Sequence, residues 1–172
     1  MKGIKSCILI SLSFSFFSES KVLIFPVATE INKGLFSSYY LSTVVSKDSI
    51  NVRFSDLEKK FLTEQVLIEN TSNIYEEENS INSYRYVFDV VDSYCYEKDS
   101  NEFNNQGFMD VFLNGVKYES GDITIPISLD GTNKNGFLYK NDILELKNDK
   151  KIETEIPLTC EGEVIFKVEL FL

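Results

Sequence analysis

Apolar and polar residues alternate with a period of two along much of this chain, and that pattern predicts β-strands. The clearest run is the C-terminal one at 163–172, in which Val164, Phe166, Val168, Leu170 and Leu172 share one side. A second long run covers 84–96. Shorter candidate strands lie at 39–46, 61–68, 137–139, 143–146 and 152–158.

Turn residues separate several of these runs. Asn114-Gly115 divides 108–118 into a hairpin with the preferred two-residue turn, and Asp130-Gly131 follows an alternating run of apolar residues at 123–129. Helical spacing is confined to 55–62, where Ser55 is a candidate N-cap. The polar stretches 70–83 and 97–106 are predicted to be exposed loops and are candidate contact surfaces for a receptor. The chain is therefore predicted to be an all-β antiparallel sandwich, with a small barrel as the alternative.

The first twenty residues have the layout of a secretory signal peptide. Two lysines precede an apolar stretch at 7–17 that is too short to span a bilayer, and Ser18 and Ser20 supply small residues before a predicted cut. We predict a signal peptide at 1–20, an N-terminal extension at 21–36 and one domain at 37–172. No later apolar run is long enough to cross a membrane, so an integral membrane protein is not expected.

Charge and composition exclude several classes of function. The chain carries a net charge of −10, and losing two lysines and one glutamate with the signal would give −11, which disfavours nucleic acid as a partner. It contains no histidine, which removes Ser-His-Asp and Cys-His catalysis and histidine metal sites. We predict no enzymatic activity, no cofactor and no metal. Acid–base work by a pair such as Asp89 and Asp92 is the disfavoured alternative.

Two cysteines follow the predicted signal, Cys95 and Cys160. An even pair in an exported protein predicts a disulfide, which here would join the end of the 84–96 strand to the start of the last strand. Two buried free thiols are the alternative. Tyrosines could also form a contact surface for a glycan or a protein, the candidates being Tyr39, Tyr40, Tyr84, Tyr94 and Tyr96.

The extension at 21–36 is unusual for a chain end, because ends are generally loose and polar. Phe25, Val27, Thr29 and Ile31 occupy alternate positions, as in a buried strand. Such a segment needs a sheet to join, and the pattern alone leaves open whether that sheet is its own or a neighbour's.

The run Phe25-Pro26-Val27-Ala28-Thr29-Glu30-Ile31-Asn32-Lys33-Gly34-Leu35-Phe36 resembles the start of mature chaperone–usher fimbrial subunits, in particular the A-type subunit of the coli surface antigen six group. The likeness covers about a dozen residues. The chain departs from that group in its greater length and in Cys95 and Cys160.

That resemblance implies an immunoglobulin-like sandwich that lacks one strand and is completed by donor-strand exchange. Phe25, Val27, Thr29 and Ile31 would fill the groove of the next subunit, and the strand at 163–172 would line it. The implied partners are a periplasmic chaperone, an outer-membrane usher, sister subunits and a host receptor. The implied location is a cell-surface fimbria reached through the periplasm. The alternative is a stand-alone secreted or periplasmic binding module, lectin-like or protein-binding.

Overall fold

A computed structural model describes residues 27–31, 39–77, 82–97, 103–153 and 158–171. The predicted signal peptide lies outside these residues and stays a prediction. The described residues form thirteen strands: Val27–Ile31 (β1), Leu41–Val45 (β2), Phe54–Ser55 (β3), Lys60–Phe61 (β4), Glu64–Tyr75 (β5), Ser83–Glu97 (β6), Phe103–Gln106 (β7), Asp110–Leu113 (β8), Val116–Tyr118 (β9), Ile127–Ser128 (β10), Gly131–Thr132 (β11), Phe137–Lys147 (β12) and Leu158–Phe171 (β13).

The strands form two main sheets. The first has the order β1-β13-β6-β10, with β7 paired to β6, and the second has the order β2-β5-β12-β8-β9, with β11 paired to β12. Every pairing in the two sheets is antiparallel except that of β1 with β13, which is parallel. The predicted all-β antiparallel sandwich is confirmed, and the described strands do not close into one barrel.

One hydrophobic core fills the space between the sheets. Alternate residues of β13 are buried, as its sequence pattern predicts, and Phe166 from this strand packs against Tyr86 and Phe88 of β6. Leu144 and Leu146 of β12 are buried in the same core from the second sheet. Each such large apolar side chain contributes about 1.5–3 kcal/mol by burial, so the alternating pattern fixes which face of each strand turns inward.

The predicted disulfide is present. Cys95 of β6 and Cys160 of β13 lie directly opposite each other in the sheet and are bonded, with their Cα atoms 4.0 Å apart. Both residues are buried. The bond therefore ties together the two longest strands of the first sheet at one end of their pairing.

A buried carboxylate joins the two sheets. Asp142 of β12 is 0% exposed and accepts hydrogen bonds from the hydroxyls of Tyr84 and Tyr86 of β6, the Tyr86 bond being 2.8 Å long. The side-chain amides of Asn70 and Asn114 donate to the same carboxylate at 2.9 and 2.8 Å. Four donors thus replace the water that a buried carboxylate loses.

The helix predicted at 55–62 is wrong. Phe54–Ser55 and Lys60–Phe61 pair as a two-stranded ladder around a tight turn. Ser55 does accept a bond from the Glu58 amide at 3.2 Å, as an N-cap would, but Lys59 adopts a positive φ of 55° and ends the turn. The Ser55 hydroxyl thus accepts the hydrogen bond expected of an N-cap, but this bond stabilises a turn and not a helix.

The exposed loop predicted at 70–83 is also wrong over its first half, because β5 continues to Tyr75. Asn70 and Ser72 are buried: Asn70 binds Asp142, and the Ser72 hydroxyl donates to the Leu138 carbonyl at 3.0 Å. In the second predicted loop, 97–106, the structure places β7 at Phe103–Gln106. Asn70 and Ser72 are residue types that are common in loops, but their hydrogen bonds to residues far along the chain hold them in a strand.

The alternating run at 123–129 forms a strand only at Ile127–Ser128. Thr124 is 4% exposed and Ile125 is 79% exposed, the reverse of the predicted facing. The reason is that the Thr124 hydroxyl accepts a 3.0 Å bond from the Tyr86 amide, and its own amide donates to the Tyr86 carbonyl. These hydrogen bonds to the backbone of β6 turn Thr124 inward and leave Ile125 exposed.

Candidate strand-addition edge

The N-terminal segment pairs with the last strand of the same chain. The register of β1 on β13 is parallel and runs from Val27 opposite Val164 to Ile31 opposite Val168. Strand β1 therefore occupies the outer edge of the first sheet, next to the strand that the sequence singled out as the edge of a groove.

Three of the four predicted donor positions fall in this ladder. Val27, Thr29 and Ile31 are opposite Val164, Phe166 and Val168, which are all buried residues of β13. Phe25 lies outside the described residues. The alternate spacing of the three thus matches the alternate buried positions of β13, while their role as donors to another chain stays a prediction.

The edge of β13 is only partly covered by β1. Strand β13 has 14 residues and pairs with β6 along its whole length, whereas β1 has five residues. In the part of the chain that the structure describes, the stretches 158–163 and 169–171 of β13 have strand partners on the β6 side alone. A strand edge without a partner offers backbone donors and acceptors that an added strand can bind.

Strand β1 lies where the edges of the two sheets meet. It is bonded to β13 of the first sheet and lies next to β2, the edge strand of the second sheet.

Ion pairs hold the outer face of β13 against β6. Lys167 lies 3.0 Å from Asp89, and Arg85 lies 3.1 Å from Glu169. These pairs are partly exposed and contribute about 0–1 kcal/mol each. Asp89 is therefore engaged by a cation and, together with Asp92, which accepts from the Ser93 amide, gives no sign of an acid–base pair.

The candidate tyrosines do not form one surface. Tyr84 is buried in the core, where burial and its bond to Asp142 raise its pKa. Tyr94 and Tyr96 share the outer face of the first sheet and donate to Glu161 at 3.3 and 3.0 Å. The hydrogen bond to Glu161 also raises the pKa of Tyr96.

The described residues contain neither a candidate metal cluster nor a membrane-spanning helix. No group of three or more Cys, Asp or Glu side chains in them could hold a metal ion. None of the described segments is a helix long and apolar enough to cross a membrane.

Comparison with known proteins finds likenesses among solved structures. No protein-family model and no curated protein matches the chain. Among solved structures, the CooA pilin subunit from enterotoxigenic Escherichia coli is similar at 10% sequence identity and a TM-score of 0.47. The match covers 77% of this chain and 99% of that one. A likeness of this size does not decide function.

Proposed function

We propose that this chain is a structural or adhesive subunit of a surface fimbria, built by donor-strand complementation with the help of a periplasmic chaperone and an outer-membrane usher. The observation that carries the proposal is the pairing of the N-terminal strand β1 along the edge of the last strand, β13. The motif at 25–36, which resembles the start of mature chaperone–usher subunits, points the same way.

Strand addition explains why a chain end is apolar at alternate positions. An edge strand offers unpaired N–H and C=O groups, and an added strand satisfies them while its alternate side chains fill pockets. Strand β1 occupies such an edge, opposite buried positions of β13. A segment that does this at its own edge has the chemistry needed to do it at the same edge of another copy.

The direction of β1 favours exchange between copies. Its pairing with β13 is parallel, and parallel ladders are slightly less stable per residue than antiparallel ones. The segment of another copy is free of this chain's connection to β2 and can enter antiparallel to β13. We therefore expect the N-terminal segment of another copy to replace this chain's own β1 at the edge of β13. Repeated exchange of this kind would place the protein in a fibre on the cell surface.

A stand-alone secreted or periplasmic binding module is the second candidate. The observation in its favour is that β1 completes its own sheet, so a single copy already has a strand at this edge. Such a module would stay monomeric, whereas a fimbrial subunit would form chains.

The oligomeric state of the processed chain, 21–172, separates the two candidates. The protein is unfolded, refolded with its disulfide intact over a series of concentrations, and sized by gel filtration with light scattering. Because trans pairing is second order in protein, we expect a ladder of oligomers that grows with concentration and is slow to dissociate. Monomers at every concentration would contradict the proposal and favour the module.

Two matched variants test which positions of the N-terminal segment fill the groove of another copy. Ile31→Asp puts a charge opposite the buried Val168, and Ala28→Asp puts the same charge at an alternate position, opposite Ile165. The oligomers should disappear with Ile31→Asp and persist with Ala28→Asp. Equal loss in both variants would show that charge, and not groove filling, controls assembly.

A further inference from the structure

A cleft opens on the side of the sandwich away from β1. It lies between the β8–β9 hairpin, the segment before β8, β6 and Lys150, and its volume is about 440 Å³. In the sheet orders, β9 lies at the end of the second sheet opposite to β2, and β13 separates β6 from β1. The cleft is therefore separate from the strand-addition edge, and its size is within the range of small-ligand sites.

The walls of the cleft are held by contacts within the protein. The Ser120 hydroxyl accepts from the Val91 amide at 2.7 Å and donates to the Val91 carbonyl at 3.1 Å. The Tyr118 ring stacks on Phe88, with 5.0 Å between ring centres and 14° between planes. Met109, a buried residue, lines the cleft as well. A ligand would meet a preformed site with apolar and polar walls.

The charges in the cleft balance. Lys117 lies 2.7 Å from Asp110 and 3.6 Å from Glu119, and the bond to Asp110 is the main cause of its raised pKa. Lys150 donates to the Gly107 carbonyl at 3.3 Å and is in no ion pair with a described carboxylate. The lining thus contains two ammonium groups and two carboxylates, and Lys150 keeps donors available for a ligand.

From this arrangement we infer that the cleft binds a neutral saccharide of one or two rings. Sugar hydroxyls both donate and accept, so they can bind the Glu119 carboxylate and the Lys150 ammonium at once. The face of the partly buried Tyr118 ring that is not stacked on Phe88 offers apolar contact to the C–H face of a sugar. A multiply charged anion would be repelled by Asp110 and Glu119, whereas a neutral ligand matches a site without net charge.

The test is an NMR titration of the isotope-labelled, processed chain carrying Ile31→Asp, the variant that is expected not to assemble, with glucose, galactose, N-acetylglucosamine and lactose. We expect saturable shifts in the amides of Tyr118, Ser120 and Lys150 with at least one of these sugars, at a millimolar dissociation constant. Lys150→Met should weaken that binding at least fivefold. The matched control is Lys151→Met, which removes the same charge from the neighbouring exposed residue and should leave binding unchanged.

Three results would overturn the inference. One is the absence of saturable shifts with every neutral sugar. Another is equal weakening by Lys150→Met and Lys151→Met, which would indicate a general charge effect. The third is binding of glucuronate or inorganic phosphate without binding of neutral sugars, which would make the cleft an anion site. None of these outcomes depends on fibre assembly, because binding is measured on the Ile31→Asp variant, in which the position expected to fill a groove in another copy is blocked.

Discussion

At the scale of single residues, Asp142 is the least expected feature of the core. A carboxylate buried without a cation is tolerated because four side-chain donors surround it, two of them tyrosine hydroxyls from the opposite sheet. Removing any one donor leaves a lone pair of a buried charge without a partner. The cluster therefore fixes how the two sheets lie on each other as well as contributing to stability.

This cluster predicts loss of stability at alkaline pH. Burial, followed by Asp142, raises the pKa of Tyr84 and of Tyr86 above the ordinary value of 10.0. A raised pKa in the folded state means that the stabilisation is complete below pH 10 and is lost as the pH rises further. We expect a fall of up to about 1.4 kcal/mol per pH unit for each buried tyrosine in the free energy of unfolding above pH 10.

Urea unfolding at pH 8 and pH 11 measures this loss. Tyr84→Phe should lower stability at pH 8 but lose less between the two pH values than the unmodified chain does. Tyr75→Phe, at an exposed tyrosine that packs on Phe137, is the matched control and should keep the full loss. An equal loss in all three proteins would show that the Asp142 cluster does not cause it.

The sequence could not have revealed these polar core residues. Asn70 and Ser72 carry the composition of a loop, and their partners Asp142 and Leu138 are far along the chain. A period-two pattern identifies buried apolar residues. It does not identify a buried polar residue whose hydrogen-bond partner comes from another strand. The burial of Thr124 could not be predicted for the same reason, since its hydrogen-bond partner is the backbone amide of Tyr86.

At the scale of elements, β6 and β13 form the frame of the first sheet, and the disulfide joins them. Cys95 and Cys160 are separated by 65 residues, so the bond closes a long loop of the unfolded chain. The loop-closure relation predicts that replacing both cysteines by serine costs roughly 4 kcal/mol of stability. Chemical denaturation of the double variant against the oxidised chain measures this cost.

The control for the disulfide prediction is the oxidised chain treated with a reducing agent under denaturing conditions and then compared with the double variant. Both should unfold at the same lower denaturant concentration. An unchanged midpoint in the double variant would mean that the 14 register pairs of β6 with β13 hold the frame without the bond.

Elements with strong local signals were predictable from the sequence. The C-terminal strand has a clean alternation, and the hairpin at Asn114-Gly115 has the positive φ values that its turn requires, 50° and 83°. Strand β1 was predictable as a strand but not as a partner of β13. Its sheet, direction and register depend on contacts between the two ends of the chain, which a local pattern does not contain.

At the scale of the whole molecule, the two proposed sites lie on opposite sides. The strand-addition edge is formed by β1 and β13 next to β2, and the cleft lies beyond β6 at the β8–β9 hairpin. Strand exchange along β13 would leave the cleft open to solvent. A fibre of these subunits would then present one copy of the cleft for each subunit.

The donor-strand proposal requires that the segment 21–36, which contains β1, can be supplied to the edge of β13 by a separate molecule. The most direct test is the thermal unfolding midpoint of residues 37–172 with and without a saturating synthetic peptide of residues 21–36. We expect a low midpoint without the peptide and a clear rise with it. The peptide carrying Ala28→Asp should also give the rise, and the peptide carrying Ile31→Asp should not. A truncated protein as stable as the processed chain, with no response to the peptide, would contradict the account.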